Sequence, residues 1–219
     1  MMMTGTLIVS LFGGGFLFLI ILLLPLLFYA LLLMWLIPLG YTVQSLVNLL
    51  TMPRDFFRIA TNKGQRRNHA LEHGTVNVIE EQYGTTHLAG YATEDGFVIR
   101  GFADPEMIYT AANKALIRMQ SGERELAIHK RCGTSIAAGN LLASILFIVI
   151  LVAFGQANIW TMILAMMAGS FLGPIVGPLT QKYLTTATDL EDVEIMGYAP
   201  QVGQVVIYTR QSELDYKVV

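Results

Sequence analysis

Residues Leu7 to Pro38 read LIVSLFGGGFLFLIILLLPLLFYALLLMWLIP, an almost unbroken apolar run longer than the roughly 20 residues a membrane-crossing helix needs. This stretch decides the fold class, and Pro25 predicts a kink inside one long or tilted span. Charge is missing well beyond it: no Lys, Arg, Asp or Glu occurs from Met1 to Pro53, and none from Cys132 to Gln181. The second block divides at Gly155-Gln156-Ala157-Asn158 into two further spans, Ile136 to Phe154 and Ile159 to Leu179. A chain of 219 residues that is 54% hydrophobic and 14% charged, with a mean hydropathy of +0.55, is too apolar for an ordinary soluble domain. The expected fold is a membrane protein with three transmembrane helices and a small cytoplasmic α+β lobe of two hairpins and two to three helices. Its parts are an N-terminal span (1–53), an α+β segment (54–131), a two-span helical hairpin (132–181) and a C-terminal β-hairpin completing the lobe (182–219).

All 14 Lys and Arg lie in Arg54 to Arg131 and Lys182 to Lys217, so both polar segments belong on one side. The positive-inside bias makes that side cytoplasmic, with the N-terminus out. The first apolar run lacks a basic leader and is far longer than a signal-peptide core, which predicts an uncleaved anchor. A net charge of −2 gives no reason to expect a nucleic-acid partner. The single cysteine, Cys132, permits no internal disulfide.

Gly64 is read as a break, followed by a helix over Gln65 to Tyr83 that ends at Gly84. Thr86 to Tyr91 and Phe97 to Phe102 read as strands turned by Thr93-Glu94-Asp95-Gly96. Asp104-Pro105-Glu106 opens a helix with Ile108, Ala112, Ala115 and Met119 at core spacing, stopped by Gly122. A short helix is expected over Glu123 to His129. Val193 to Tyr198 and Gln204 to Arg210, flanking Ala199 to Gly203, read as a second hairpin, able to join the first in one antiparallel sheet.

Within the first of these helices lies His69-Ala-Leu-Glu-His73. Four residues apart on a helix, two imidazoles share a face, with Glu72 projecting from nearly the same side. That arrangement suits one divalent cation, with zinc expected. The plain alternative is a solvated helix face that happens to carry two histidines and an acid. Against it stands His129-Lys130-Arg131-Cys132, whose His-x-x-Cys spacing presents two further metal-competent groups. The expected ligands are His69, His73, His129 and Cys132, joined by one of the acids in the segment that brings Thr185, Thr186, Asp189, Glu191 and Asp192 to the same boundary. With an open position Glu72 would be a general base; in a closed site it would orient an imidazole. His87 is read as structural. Gly169, Gly173 and Gly177, with Pro174 and Pro178, form a small-residue seam read first as packing between spans and also as a surface for a membrane-protein partner or homo-oligomer. Asn140 is expected to make an interhelical hydrogen bond.

The pattern His69-x-x-Glu72-His73 resembles that of the inverted, pitrilysin-like zinc peptidases, which implies His69 and His73 as metal ligands and Glu72 as base. That family's third ligand, a downstream glutamate, has no counterpart here, and its large soluble fold does not fit this chain. A broader resemblance rests on Asn68 to His73, Leu126 to Thr134 before two spans, and Gln181 to Thr186 after them. Together they are similar to a family of small bacterial membrane proteins of unknown function, frequent in phototrophs. It implies a bacterial inner membrane, plasma or thylakoid-type, and that the three motifs act as one unit. Two functions are therefore expected: a metal-dependent, peptidase-like hydrolase, or a non-catalytic scaffold or assembly subunit with the same cluster as a clamp. A transporter is disfavoured, since the apolar blocks hold no ionisable residue besides the boundary Cys132.

Overall fold

The computed structural model of the chain describes residues 3–84, 87–155 and 158–212, with side chains from residue 21 onward. Helix α1 (Met3–Thr61) is one continuous helix of 59 residues, passing through Pro25, Pro38 and Pro53. It thus runs past the expected end of the first span. A proline removes one backbone bond, whereas leaving the helix would strand several N–H and C=O groups among apolar side chains. The break comes at Asn62, not Gly64. Asn62 adopts extended backbone and its side-chain oxygen accepts from Gln65 N at 2.9 Å, starting α2 (Lys63–Tyr83) with Gly64 inside its first turn. Gly84, at φ +79°, ends α2 in a conformation that favours glycine.

Strands β1 (Ala89–Ala92) and β2 (Gly96–Arg100) form the first hairpin, each starting or ending inside the expected limits. Thr86 lies outside the described residues. Helix α3 (Pro105–Gln120) is capped by Asp104, whose carboxylate accepts from Glu106 N, and buries Ile108, Ala112, Ala115 and Met119 as the spacing predicts. The expected helix over Glu123 to His129 is only a single 3₁₀ turn, Arg124–Ala127. The side-chain amide of Asn77 on α2 donates to both Leu126 O and Ile128 O, drawing those carbonyls out of any helical ladder. Strands β3 (Val193–Gln201) and β4 (Gln204–Gln211) form the second hairpin, and the two join in one antiparallel sheet of order β1-β2-β4-β3. In the central pair Phe97 stands opposite Ile207. Phe97, Ile99 and Ile207 pack with Leu71 and Ile79 of α2 and Ile108 and Ala115 of α3, all buried.

Helices α4 (Gly133–Phe154) and α5 (Ile159–Thr180) form an apolar hairpin, and α5 continues as a π-helical turn, Gln181–Thr185. Together with α1 they make three helices long and apolar enough to cross a membrane. Phe147, Met162 and Ala165 form a small core between α4 and α5, and Tyr41 of α1 meets the Phe147 ring edge-on at 4.9 Å. The interhelical polar bond runs from Asn48 to Ser144 Oγ at 3.0 Å; Asn140, one turn earlier, is exposed.

The glycine seam is packed within the chain at Gly169 and Gly177. A Cβ on Gly169 would stand 2.5 Å from Ala143 Cβ, and one on Gly177 2.6 Å from Ser135 Cβ, while Gly173 faces Gly139. Gly169→Leu is expected to force α4 and α5 apart at a cost of about 1–3 kcal/mol. Urea or SDS unfolding in detergent measures it; an unchanged midpoint would show the seam to be loose.

Candidate metal centre

Helix α2 is buried on both faces, and its burial is arranged by polar groups the lobe supplies. Arg67, whose side chain is 3% exposed, reaches Asp192 at 2.9 Å and Asp189 at 3.0 Å. Asn68 donates to Thr93 O and Glu94 O and accepts from the Thr209 hydroxyl, tying α2 to both hairpins. These anchors set the rotation of the helix, so the solvated-face reading of His69 and His73 fails. His69, Glu72, His73 and Cys132 are 8%, 6%, 2% and 6% exposed.

Each imidazole is oriented by a backbone carbonyl. His69 Nδ1 stands 2.9 Å from Thr185 O, at the end of the π-helical turn, and His73 Nδ1 stands 2.7 Å from Ala127 O in the 3₁₀ turn. A carbonyl only accepts, so each Nδ1 carries its hydrogen, and Nε2 is the nitrogen each ring can offer to a metal once it is deprotonated. This is the carbonyl-to-histidine arrangement that fixes metal-ligating imidazoles. Cys132 caps α4, and its Sγ lies 3.5 Å from His69 Nε2. One ligand atom each from His69, His73 and Cys132 come within 4.8 Å of one another. Ligand atoms around tetrahedral zinc stand roughly 3.3–3.8 Å apart. The His69–Cys132 pair is already at that spacing, and small side-chain rotations close the remainder.

Glu72 completes the cluster. Its Oε2 is 4.0 Å from His69 Nε2, and among the described residues neither Glu72 Oε2 nor His73 Nε2 has a hydrogen-bond partner. A buried polar atom without a partner costs about 1–3 kcal/mol, and two side by side point to a group that satisfies both. Gly90 on β1 lets the sheet close over this carboxylate: a Cβ there would lie 2.7 Å from Glu72 Oε1 and 2.5 Å from Val98 O.

Burial is the largest influence on the Cys132 thiol and would raise its pKa, yet the hydrogen bond with His69 and the charge of His73 and His69 outweigh it and hold the thiol at about 4. For His69 burial lowers the pKa, but the Cys132 hydrogen bond and the Glu72 carboxylate leave it raised. Burial raises Glu72, only partly offset by His73 and His69. A thiol depressed when folded contributes stability that is full above its unfolded value of roughly 8.5 and fades as pH falls toward the folded value. Thiolate absorbance of metal-free protein should accordingly persist down to about pH 4. Its loss above pH 8 would contradict the His69–Cys132 contact.

His129 is gathered nearby without joining the three ligand atoms. Its ring centroid is 6.0 Å from that of His73, and its Nε2 faces Glu80 Oε2 at 3.5 Å. Burial, then the charge of His73, lowers its pKa, against the pull of Glu80. Gln181 fixes the loop from His129 to Cys132: its Oε1 accepts from His129 N, and its Nε2 donates to His129 O and to Ser135 Oγ. Of the expected fifth partners, Thr185 contributes its carbonyl, and its hydroxyl is 3.4 Å from that of Thr134, itself 3.0 Å from Cys132 Sγ. Thr186 is buried, its hydroxyl bonded to Gln181 O. Asp189 and Asp192 turn to Arg67 instead, because a buried guanidinium requires them, and Glu191 stays exposed. His87 is exposed and precedes β1. Gly90 and Arg67 escaped the sequence reading, while Gln181 entered it only as the first residue of the Gln181 to Thr186 motif, with no role assigned. Only Gly90 carried a recognisable signal, a glycine within a strand marking close approach.

Residues 64–197 match DUF6391, a domain of unknown function, and the chain belongs to that family. The match takes in all four residues of the cluster. An uncharacterised protein of Picosynechococcus sp. (strain ATCC 27264 / PCC 7002 / PR-6) is 36% identical, over 57% of this chain and 67% of its own length. No solved structure matches the chain.

Proposed function

We propose that the chain is an integral membrane protein in which a resident zinc ion, held by His69, His73 and Cys132, fastens the α+β lobe to the apolar helices. The single observation that carries this is the convergence of three buried ligand atoms from α2 and from the cap of α4, with each imidazole backed by a carbonyl. The lobe lies on the cytoplasmic side by the distribution of Lys and Arg. Metal analysis of detergent-purified protein tests it: one zinc per chain is expected, and a strongly substoichiometric content rejects the site.

A second reading, hydrolysis of a peptide bond, is favoured by Glu72, whose Oε2 is buried without a partner beside the cluster. Zinc with three protein ligands supplies a Lewis acid at an open position. Glu72, its pKa raised by burial, would take a proton from a water between itself and His69. Burial of all four groups favours the fastening role, since a polymeric substrate has no approach in this arrangement. Glu72→Gln separates the two. Retained zinc with unchanged function in vivo supports the clamp, and retained zinc with function abolished supports catalysis.

A further inference from the structure

Where α1 ends and α5 unwinds, a cleft of about 790 Å³ opens between Thr61, the first turn of α2, the 3₁₀ turn and the segment after Lys182. Its lining holds four cations, Lys63, Arg66, Arg124 and Lys182, and three carboxylates, Glu125, Asp189 and Glu191. Asp189 is already engaged by Lys63 at 3.1 Å and by Arg67 at 3.0 Å. Arg66 spends its N–H groups on the carbonyls of Thr186, Tyr183 and Ala60, so no carboxylate neutralises it. Among the described residues, Arg124 and Lys182 also make no ion pair. The cleft begins at the N-terminal turn of α2, where the helix dipole adds positive potential. An anion is the missing partner, and one negative charge balances the walls.

Position identifies the anion's source. Both α1 and α5 are membrane-length helices that finish at this cleft, which sets it at headgroup depth. Tyr183, 64% exposed, stands at the rim with the Lys182 ammonium 5.5 Å from its ring centroid, a pairing suited to a membrane interface. We propose that this cleft binds the phosphate of an anionic phospholipid, such as phosphatidylglycerol, through Arg66, Arg124 and Lys182. The exposed carboxylates of Glu125 and Glu191 accept from headgroup hydroxyls. The inference rests on the membrane placement, tested independently by resistance to carbonate extraction, and does not depend on zinc. The cleft nevertheless shares a wall with the metal centre, because Ala127, whose carbonyl orients His73, lines it.

Full-length protein in nanodiscs of phosphatidylcholine, with phosphatidylglycerol titrated in and retained lipid read by native mass spectrometry, tests the proposal. Wild type should retain one phosphatidylglycerol, and Arg124→Glu with Lys182→Glu should weaken retention by about tenfold or more. Both side chains are exposed, and an unchanged unfolding midpoint confirms that the double variant folds. Equal retention of the two lipids, or no effect of the variants, overturns the proposal. Displacement of phosphatidylglycerol by millimolar inorganic phosphate also overturns it, assigning the cleft to a soluble anion.

Discussion

His73→Ala should strip zinc from the purified protein to less than a tenth of the wild-type content and lower its thermal midpoint. The expected loss is large because His73 supplies one of the three ligand atoms that converge among the described residues, and its ring is held by Ala127 O at 2.7 Å. A ligand present at about a thousand times its Kd stabilises the folded state by roughly 4 kcal/mol, so metal-free variants and chelator-treated wild type should converge on the same reduced midpoint. Cys132→Ala and His69→Ala should behave alike. His129→Ala is the informative contrast: its imidazole turns to Glu80, so zinc content should stay near wild type. A variant series in which His129→Ala loses metal as completely as His73→Ala would redraw the ligand set. One in which His73→Ala keeps metal would remove the site altogether.

Arg67→Met should be the most damaging substitution outside the cluster. It leaves Asp189 and Asp192 facing each other across an apolar side chain, with Lys63 the remaining cation beside Asp189. Removing one member of a buried pair typically costs about 3–5 kcal/mol. Here the carboxylates keep 48% and 25% of their side-chain exposure, so water offsets part of the loss and about 2–3 kcal/mol is expected. For a chain of this size that lowers the midpoint by roughly 4–12 °C. Arg67→Lys should recover little, because one ammonium cannot reproduce a fork that bonds two acids. Burial pushes Asp189 upward, but Lys63 and Arg67 outweigh it and leave its pKa lowered. Its contribution is therefore present above the unfolded value and lost as pH falls through the lower folded value. Wild type and Arg67→Met should draw together in stability below about pH 4. A gap that widens in acid would show that the pair does not act as described.

The layers of the fold were legible where the signal was additive. Fifty-three residues without charge outweigh any local detail, and the alternating runs near Phe97 and Gln204 carried enough period to predict two hairpins in one sheet. Boundaries were lost where one bond decides. The apolar run closes at Pro38, yet α1 continues to Thr61, and Glu123 to His129 reads as a helix until the Asn77 amide takes two of its carbonyls. At the site, His69, His73 and Cys132 were visible because their side chains are themselves the chemistry. The carbonyls of Thr185 and Ala127 that aim the rings have no letter in a sequence. Asp189 and Asp192 stood among the candidate acids, and nothing in the sequence marked Arg67 as the buried cation that engages them.

The pairing of β2 with β4 bears on how the protein is made. Phe97 and Ile207 become neighbours only after both helices of the α4–α5 hairpin have been synthesised and the last strand has left the ribosome. Until then the β1–β2 hairpin carries an unpaired edge, the feature that recruits wrong partners, and the core beneath α2 and α3 lacks Val205 and Ile207. Completion of the lobe thus comes late in synthesis, after α5 has been made, and the nascent hairpin keeps an open edge during that interval.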